Sequence, residues 1–355
     1  MPSHPLAHIV IKAALLLAFG SALGGAAEFV GLPLPWMIGP LVGTAVLSLF
    51  GLPVAIPVGF RKLGQLLAAV AIGTTFTEPV LAGLVQYLPV IVICAITAIA
   101  LGMAVGAAQA HLTGTTFKTG YFASMPGGVA EMSVMAERYG GETALVALAQ
   151  SLRIIIVVLT VPFLLTLFHA PSVRAAPHAI GWDVATLPPL GTMIALSVGL
   201  GWVLDRFRTM NAYFLAGLGI AILTMQILPT PPRVPTSLLN AAQVMLGVAL
   251  GGRMDPGALS HMRRFLPATA GSTFVLIIGN AGVALVLSLF TGIDLETLLL
   301  ATTPGGVAEM SITAAALNLA AGIVTAFHLM RIFLIITLSD PLFRLCLRLF
   351  PSIAR

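Results

Sequence analysis

Apolar residues run along this chain in long blocks, separated by short polar or Gly/Pro-containing breaks. In the first half the blocks cover 9–29, 32–50, 61–78, 86–112, 115–139 and 142–169. Their lengths approach the roughly 20 residues that a helix needs to cross a bilayer. Adding 178 to each bound gives a matching block in the second half, with no gap required. Gly64-Gln65-Leu66 through Gly73 falls on Ala242-Gln243-Val244 through Gly251, Leu88-Pro89 on Leu266-Pro267, and Arg153 on Arg331. One register held over most of a chain is the mark of internal duplication. The expected fold is an all-α polytopic membrane protein of two homologous repeats, residues 1–178 and 179–355, within one integral membrane domain. The Pro-rich stretches 170–178 and 229–235 read as short loops.

The duplication is letter-perfect at one place. Pro126-Gly127-Gly128-Val129-Ala130-Glu131-Met132-Ser133 recurs as Pro304-Gly305-Gly306-Val307-Ala308-Glu309-Met310-Ser311. Proline removes a backbone donor, and glycine permits turns and close backbone approach. The pattern predicts a discontinuous helix in each repeat, with a short helix restarting near Val129. That restart leaves free N–H groups and a partial positive charge, where the first-turn Glu131 and Glu309 are favoured. Ser133 and Ser311 add hydroxyls two residues on. Irregular backbone at membrane depth is tolerated only against protein or a water-filled cavity. A kink with a self-capping glutamate is the structural alternative for one copy, and duplication of the whole octapeptide weighs against it. Paired helix breaks at the midplane of a duplicated bundle are how secondary transporters hold substrate and coupling ion.

Composition strengthens the membrane reading. The chain of 355 residues is 58% hydrophobic and 8% charged, with a mean hydropathy of +1.05; soluble domains carry about 25% charged residues. The net charge of +5 comes from Lys and Arg scattered in ones and twos at block ends, which is positive-inside dressing and not a stripe for nucleic acid. Cys94 and Cys346 lie in apolar runs and read as packing residues. Residues 9–30 read as a retained first span and not a cleaved signal.

The same charges bear on orientation. With Lys12, Arg61, Lys62 and Lys118 inside, an inverted second half also places Arg206, Arg208, Arg253, Arg263, Arg264, Arg344 and Arg348 inside. Glu28, Glu78, Asp294 and Glu296 then lie outside, with Arg174 and Arg233 as exceptions. Inversion requires an odd number of crossings per half. Either the Pro-Gly-Gly segment returns as a re-entrant hairpin or a flanking segment fails to cross, for 10 to 12 crossing segments in all.

Arg153 and Arg331 each lie 22 residues after a glutamate of the motif, inside strongly apolar runs. A charged side chain at a helix centre costs about 2.5–3.5 kcal/mol on the insertion scale. Pairing Glu131 with Arg153 and Glu309 with Arg331, or the crossed arrangement, would offset this. Such pairs serve either as structural ties or as part of a substrate or proton site. Gln65 and Gln243 are matched amides that could line the same cavity or bond between helices. His328, three residues before Arg331, replaces the matched Gln150 and is a candidate proton group, with a packed core histidine as the plainer reading.

The doubled motif in a duplicated, all-membrane chain resembles the bacterial AbrB-type membrane protein family over nearly its whole length. Members of that family carry labels such as ammonia monooxygenase and transcriptional regulator. A more distant similarity is to the broken crossing helix of bile-acid-symporter and sodium/proton-antiporter relatives. Those are inverted-repeat transporters, and the likeness implies a break in a fully crossing helix instead of a hairpin. The antiporters' aspartate pair is absent, so no ion carries over.

The leading expectation is a non-enzymatic secondary transporter of the bacterial inner membrane. Its site would comprise the two motifs with Arg153, Arg331, Gln65, Gln243 and His328. The lipid bilayer and a small solute or ion are its expected partners, with proton or sodium coupling and room for a homodimer. No cofactor, metal or nucleic acid is expected. A membrane-embedded regulator acting through a partner or solute is the second class. A metal oxygenase is the third and weakest, since the seven histidines lack ligand spacing.

Overall fold

The computed structural model describes residues 5–52, 54, 57–168, 181–228, 232–254 and 264–349. The expected loop 170–178, residues 229–231 of the second loop, Arg174 and Arg263 lie outside them. Among the described residues the chain is all-helical. The first half runs α1 (Pro5–Phe29), α2 (Pro35–Leu49), α3 (Val58–Gly73), α4 (Glu78–Thr113), α5 (Phe117–Ser124), α6 (Val129–Arg138) and α7 (Thr143–Phe168). After a 3-10 turn at Val184–Thr186 come α8 (Leu187–Arg206), α9 (Ala212–Ile227), α10 (Thr236–Gly251), α11 (Phe265–Thr291), α12 (Leu295–Thr302), α13 (Val307–Ala316) and α14 (Ala321–Leu349).

Among the described residues, six helices are long and apolar enough to cross a bilayer: Val10–Phe29, Val80–Thr113, Thr143–Leu167, Leu187–Arg206, Phe265–Thr291 and Ala321–Arg348. The chain is a multi-pass membrane protein. Helix bounds recur at the offset of the sequence match, so that α3, α5, α6 and α7 start 178 residues before α10, α12, α13 and α14. The predicted block 86–112 is longer than expected, because Pro89 is accommodated inside α4.

The described helices form two compact units, each drawn from both halves of the chain. One comprises 1–83, 162–256 and 311–322, and the other 84–161, 257–310 and 323–355. In the first unit α3 packs on α9, and α10 on α2, so each of these helices takes a neighbour from the opposite half. Glycine sets the approach: a Cβ on Gly217 would stand 2.7 Å from the Leu66 carbonyl, and one on Gly251 would stand 2.3 Å from that of Leu41. Gly73 is a packing position of the same kind, since a Cβ on it would stand 2.5 Å from Ala221 Cβ. Three contacts fix which ends meet. Lys62 Nζ lies 2.6 Å from Asp205 Oδ2, Gln226 Nε2 donates to Phe76 O at 3.0 Å, and the Ser48 hydroxyl donates to Met254 O. The last two are counterparts, since 48 and 76 shifted by 178 become 226 and 254.

The second unit holds both interruptions. Its core is aromatic: the Phe343 ring lies 5.0 Å from Tyr121, 5.0 Å from Phe122 and 4.7 Å from Tyr139. Buried Met125, Met132, Val146, Ala149 and Ile335 join it. Helix α5 comes within backbone distance of α4, where Gly102 and Gly106 form a small-residue face. A Cβ on Gly106 would be 2.7 Å from Gly120 O, and one on Gly102 would be 3.0 Å from the Pro126 ring.

The meeting of two interrupted helices

Each interruption is built by local chemistry. Helix α5 starts under the Thr116 hydroxyl, which accepts from Thr119 N–H at 3.3 Å. Helix α12 starts under the Asp294 carboxylate, which accepts from Thr297 N–H at 2.8 Å. Both end at the residue before proline, which proline pushes out of the helical region. Met125 sits at φ −60, ψ 127, and Thr303 at φ −55, ψ 139. The chain then restarts as α6 at Val129 and α13 at Val307, with Gly128 as an extended N-cap at φ −78, ψ 149.

The two glycines of each motif are required for different reasons. A Cβ on Gly127 would meet Met132 at 2.8 Å, and one on Gly305 would meet Met310 at 2.7 Å. A Cβ on Gly128 would fall 1.9 Å from Glu131 Oε2, and one on Gly306 would fall 2.0 Å from Glu309 Oε2. Each glutamate thus folds back over the start of its own helix, where the first N–H groups lack intrahelical acceptors and negative charge is favoured. Glu131 and Glu309 are half-buried. Ser133 does not offer its proton outward, because its hydroxyl donates to Val129 O at 2.7 Å. Ser311 is fully buried.

The expected glutamate–arginine pairs are not what holds the arginines. Ion pairs among the described residues include Lys62–Asp205, Arg138–Asp340 and Arg344–Asp340. Arg153 instead donates to main-chain carbonyls at both interruptions. Its Nε reaches Pro304 O at 3.0 Å, Nη1 reaches Met125 O at 3.0 Å and Ser124 O at 3.5 Å, and Nη2 reaches Gly127 O at 3.3 Å. Nη2 also donates to Gln150 Oε1 at 2.6 Å. Arg331 donates from Nη1 to Thr303 O at 2.6 Å and from Nη2 to Gly305 O at 2.7 Å. The physical reason is the break itself. A helix that stops inside the protein leaves its last carbonyls without partners, and a cation at that negative end satisfies both charge and hydrogen bonding. Each hydrogen bond to a charged group contributes about 1.5–3 kcal/mol, so the several made by Arg153 outweigh the insertion cost of one arginine.

Gln150 and His328 finish the same task. Gln150 Nε2 donates to Phe122 O at 2.8 Å, Ala123 O at 3.3 Å and Met125 O at 2.8 Å. His328 Nε2 lies 3.0 Å from Leu300 O, the carbonyl matched to Phe122. The histidine expected as a proton group therefore serves as a C-terminal cap of α12, with Nε2 carrying the hydrogen. Its Nδ1 and the Nε of Arg331 are buried without a hydrogen-bond partner.

Gln65 and Gln243 belong to the other unit. Gln65 Nε2 faces Asn211 Oδ1 at 3.4 Å, and Gln243 is buried in α10 with its Oε1 unpartnered. The second unit thus brings together both motifs up to Met310, Arg153, Arg331 and His328. Gln150 entered the sequence reading only as the counterpart of His328. Its signal was its place three residues before Arg153, the spacing that His328 and Arg331 share.

Similarity to known proteins covers the same extent. The chain is 28% identical over 358 residues to the "Uncharacterized protein YhjN" of Bacillus subtilis (strain 168), covering 95% of this chain and 93% of that protein. It is 29% identical over 316 residues to the "Putative regulator AbrB" of Escherichia coli (strain K12), covering 88% and 89%. The family model described as transition state regulatory protein AbrB matches residues 5–347, and the chain belongs to that family.

Proposed function

We propose that the chain is a secondary transporter of a small solute in the bacterial cytoplasmic membrane, working by alternating access and without enzymatic chemistry. One observation carries this reading: Arg153 bonds at once to Met125 and Gly127 of one interruption and to Pro304 of the other. Two helix breaks, each with a carboxylate at the start of the helix that resumes, thus adjoin, the arrangement transporters use to bind solute and coupling ion. Glu131 and Glu309 are the coupling groups in this scheme.

We also infer that the halves are inverted. Lys62 at the start of α3 meets the end of α8, and Ser48 at the end of α2 meets the residues just past α10. Phe76, past the end of α3, meets the end of α9. With α2 and α3 joined head to tail, these contacts make α8, α9 and α10 run opposite to α1, α2 and α3. Cysteines placed near Arg61 and Arg253 should then be labelled from the same side, and labelling from opposite sides would restore parallel halves.

The functional test is flux in reconstituted vesicles. Glu131→Gln together with Glu309→Gln should abolish ion-coupled movement of the solute while the protein still purifies as a folded species. Unchanged flux removes the carboxylates from the mechanism. The name of the E. coli relative favours a second reading, control of gene expression through a transported solute or a bound partner. An expression change that survives in the flux-dead double variant would favour the partner route.

A further inference from the structure

We propose that the two buried guanidinium groups permanently occupy the place where a sodium-coupled carrier binds its ion, so that the interrupted helices hold no sodium site and the cycle runs without sodium. The inference rests on the transporter reading and narrows its coupling ion. In carriers with broken helices, sodium is held by unwound carbonyls and by the C-terminal ends of half-helices. Here those oxygens are already taken. Ser124, Met125, Gly127 and Pro304 O accept from Arg153, and Thr303 and Gly305 O accept from Arg331. Further back along the half-helices, Phe122 and Ala123 O accept from Gln150, and Leu300 O from His328.

The occupancy is tethered. Arg153 and Arg331 are 3% and 4% exposed, and each belongs to the second helix after its own half's break, α7 or α14. An alkali ion would have to strip hydrogen bonds from a covalently attached cation and then sit beside it in a poorly screening interior. The guanidinium also presents its donors in a rigid planar fork, which matches several carbonyls at once better than a spherical ion can. The carboxylates of Glu131 and Glu309 lie over the opposite, N-terminal ends of α6 and α13, and in this scheme they couple movement to protons.

The experiment uses the full chain in detergent and in vesicles. Wild-type protein should melt at the same temperature in sodium, potassium and choline chloride of equal ionic strength. Arg331→Gly should melt several degrees lower, regain most of that loss with millimolar ethylguanidinium, and gain more from sodium than from choline, because Thr303 and Gly305 carbonyls are vacated. A sodium-specific stabilisation of the wild type would overturn the proposal, as would a variant indifferent to both added cations. Should the variant fail to fold, the wild-type melting series decides alone. Solute flux that requires sodium also defeats the proposal and leaves transport intact. Absence of flux in every salt defeats transport and leaves the melting result standing.

Discussion

Arg153 and Arg331 stand at matched positions, yet their surroundings are unequal. Arg153 uses every nitrogen, and its bonds reach both interruptions and Gln150. Arg331 bonds only to its own interruption, through Thr303 and Gly305, and its Nε is buried without a partner. The difference traces to one substitution and one reach. Gln150 offers Arg153 an acceptor as well as capping α5, whereas His328, with Nε2 committed to Leu300, presents a ring nitrogen that nothing reaches. Matched positions in the sequence therefore need not be matched in bonding. The first-half arginine ties the two breaks together; the second-half one closes only its own.

The comparison predicts the largest effect at Arg153. Arg153→Leu strands carbonyls at both interruptions, and each buried unsatisfied group costs about 1–3 kcal/mol. The variant should fail to give a folded, monodisperse protein, or should melt far below wild type. Arg331→Leu strands two carbonyls and should lose roughly half as much by the same reckoning. Equal losses in a melting series would erase the distinction between the arginines. Next come Gly128→Ala and Gly306→Ala, which place a methyl where the carboxylate of Glu131 or Glu309 lies. Each should cost about 0.3–1 kcal/mol for displacing an anion from a helix N-terminus, with a much larger loss of flux. Because the two geometries agree, the two variants should behave alike. A variant with full flux would show that the folded-back carboxylate is not needed in transport.

Much of this was legible beforehand because proline and glycine act locally. The ends of α5 and α12, the restart at Val129 and the first-turn glutamates all follow from Pro-Gly-Gly-Val-Ala-Glu. The partners of the arginines were not legible. Two acidic and two basic residues in an apolar chain suggest one another, while a helix-end carbonyl has no letter in the sequence. The need for a cation at such an end is implied by the proline, and Gln150 and His328 three residues before each arginine were the available hint. The exchange of neighbours in the first unit was also hidden. Gly217 and Gly251 mark close helix approach, but a glycine does not say which helix approaches. The charge pattern put Lys62 and the residues around Arg206 on one side, and Lys62 meets Asp205.

A gain in stability, not a loss, sharpens the asymmetry at His328. His328→Gln gives the second half the side chain of the first, with an amide to cap Leu300 O and an oxygen for Arg331. The gain should be about 0.5–1.5 kcal/mol, one ordinary hydrogen bond, read as a raised melting temperature. The reverse exchange, Gln150→His, should cost more, because one ring nitrogen cannot serve the three carbonyls that Gln150 serves.

The smallest effect belongs to the first unit and to the contact between Lys62 and Asp205. At 2.6 Å it is as short as the shortest bonds of Arg153 and Arg331, but its side chains are 28% and 41% exposed. Water and salt screen such a pair, and exposed pairs contribute about 0.2–1 kcal/mol. Lys62 also stands 5.2 Å from the centre of the Tyr213 ring, so Lys62→Ala removes a second weak attraction of about 0.5–1 kcal/mol. Asp205→Ala removes only the first. A double-mutant cycle between them isolates the ion pair, and its coupling should shrink further in high salt. A coupling of several kcal/mol, insensitive to salt, would mean that this contact holds α3 to α8 as firmly as Arg153 holds the two interruptions. Short distance alone would then have been the better guide, and burial the worse one.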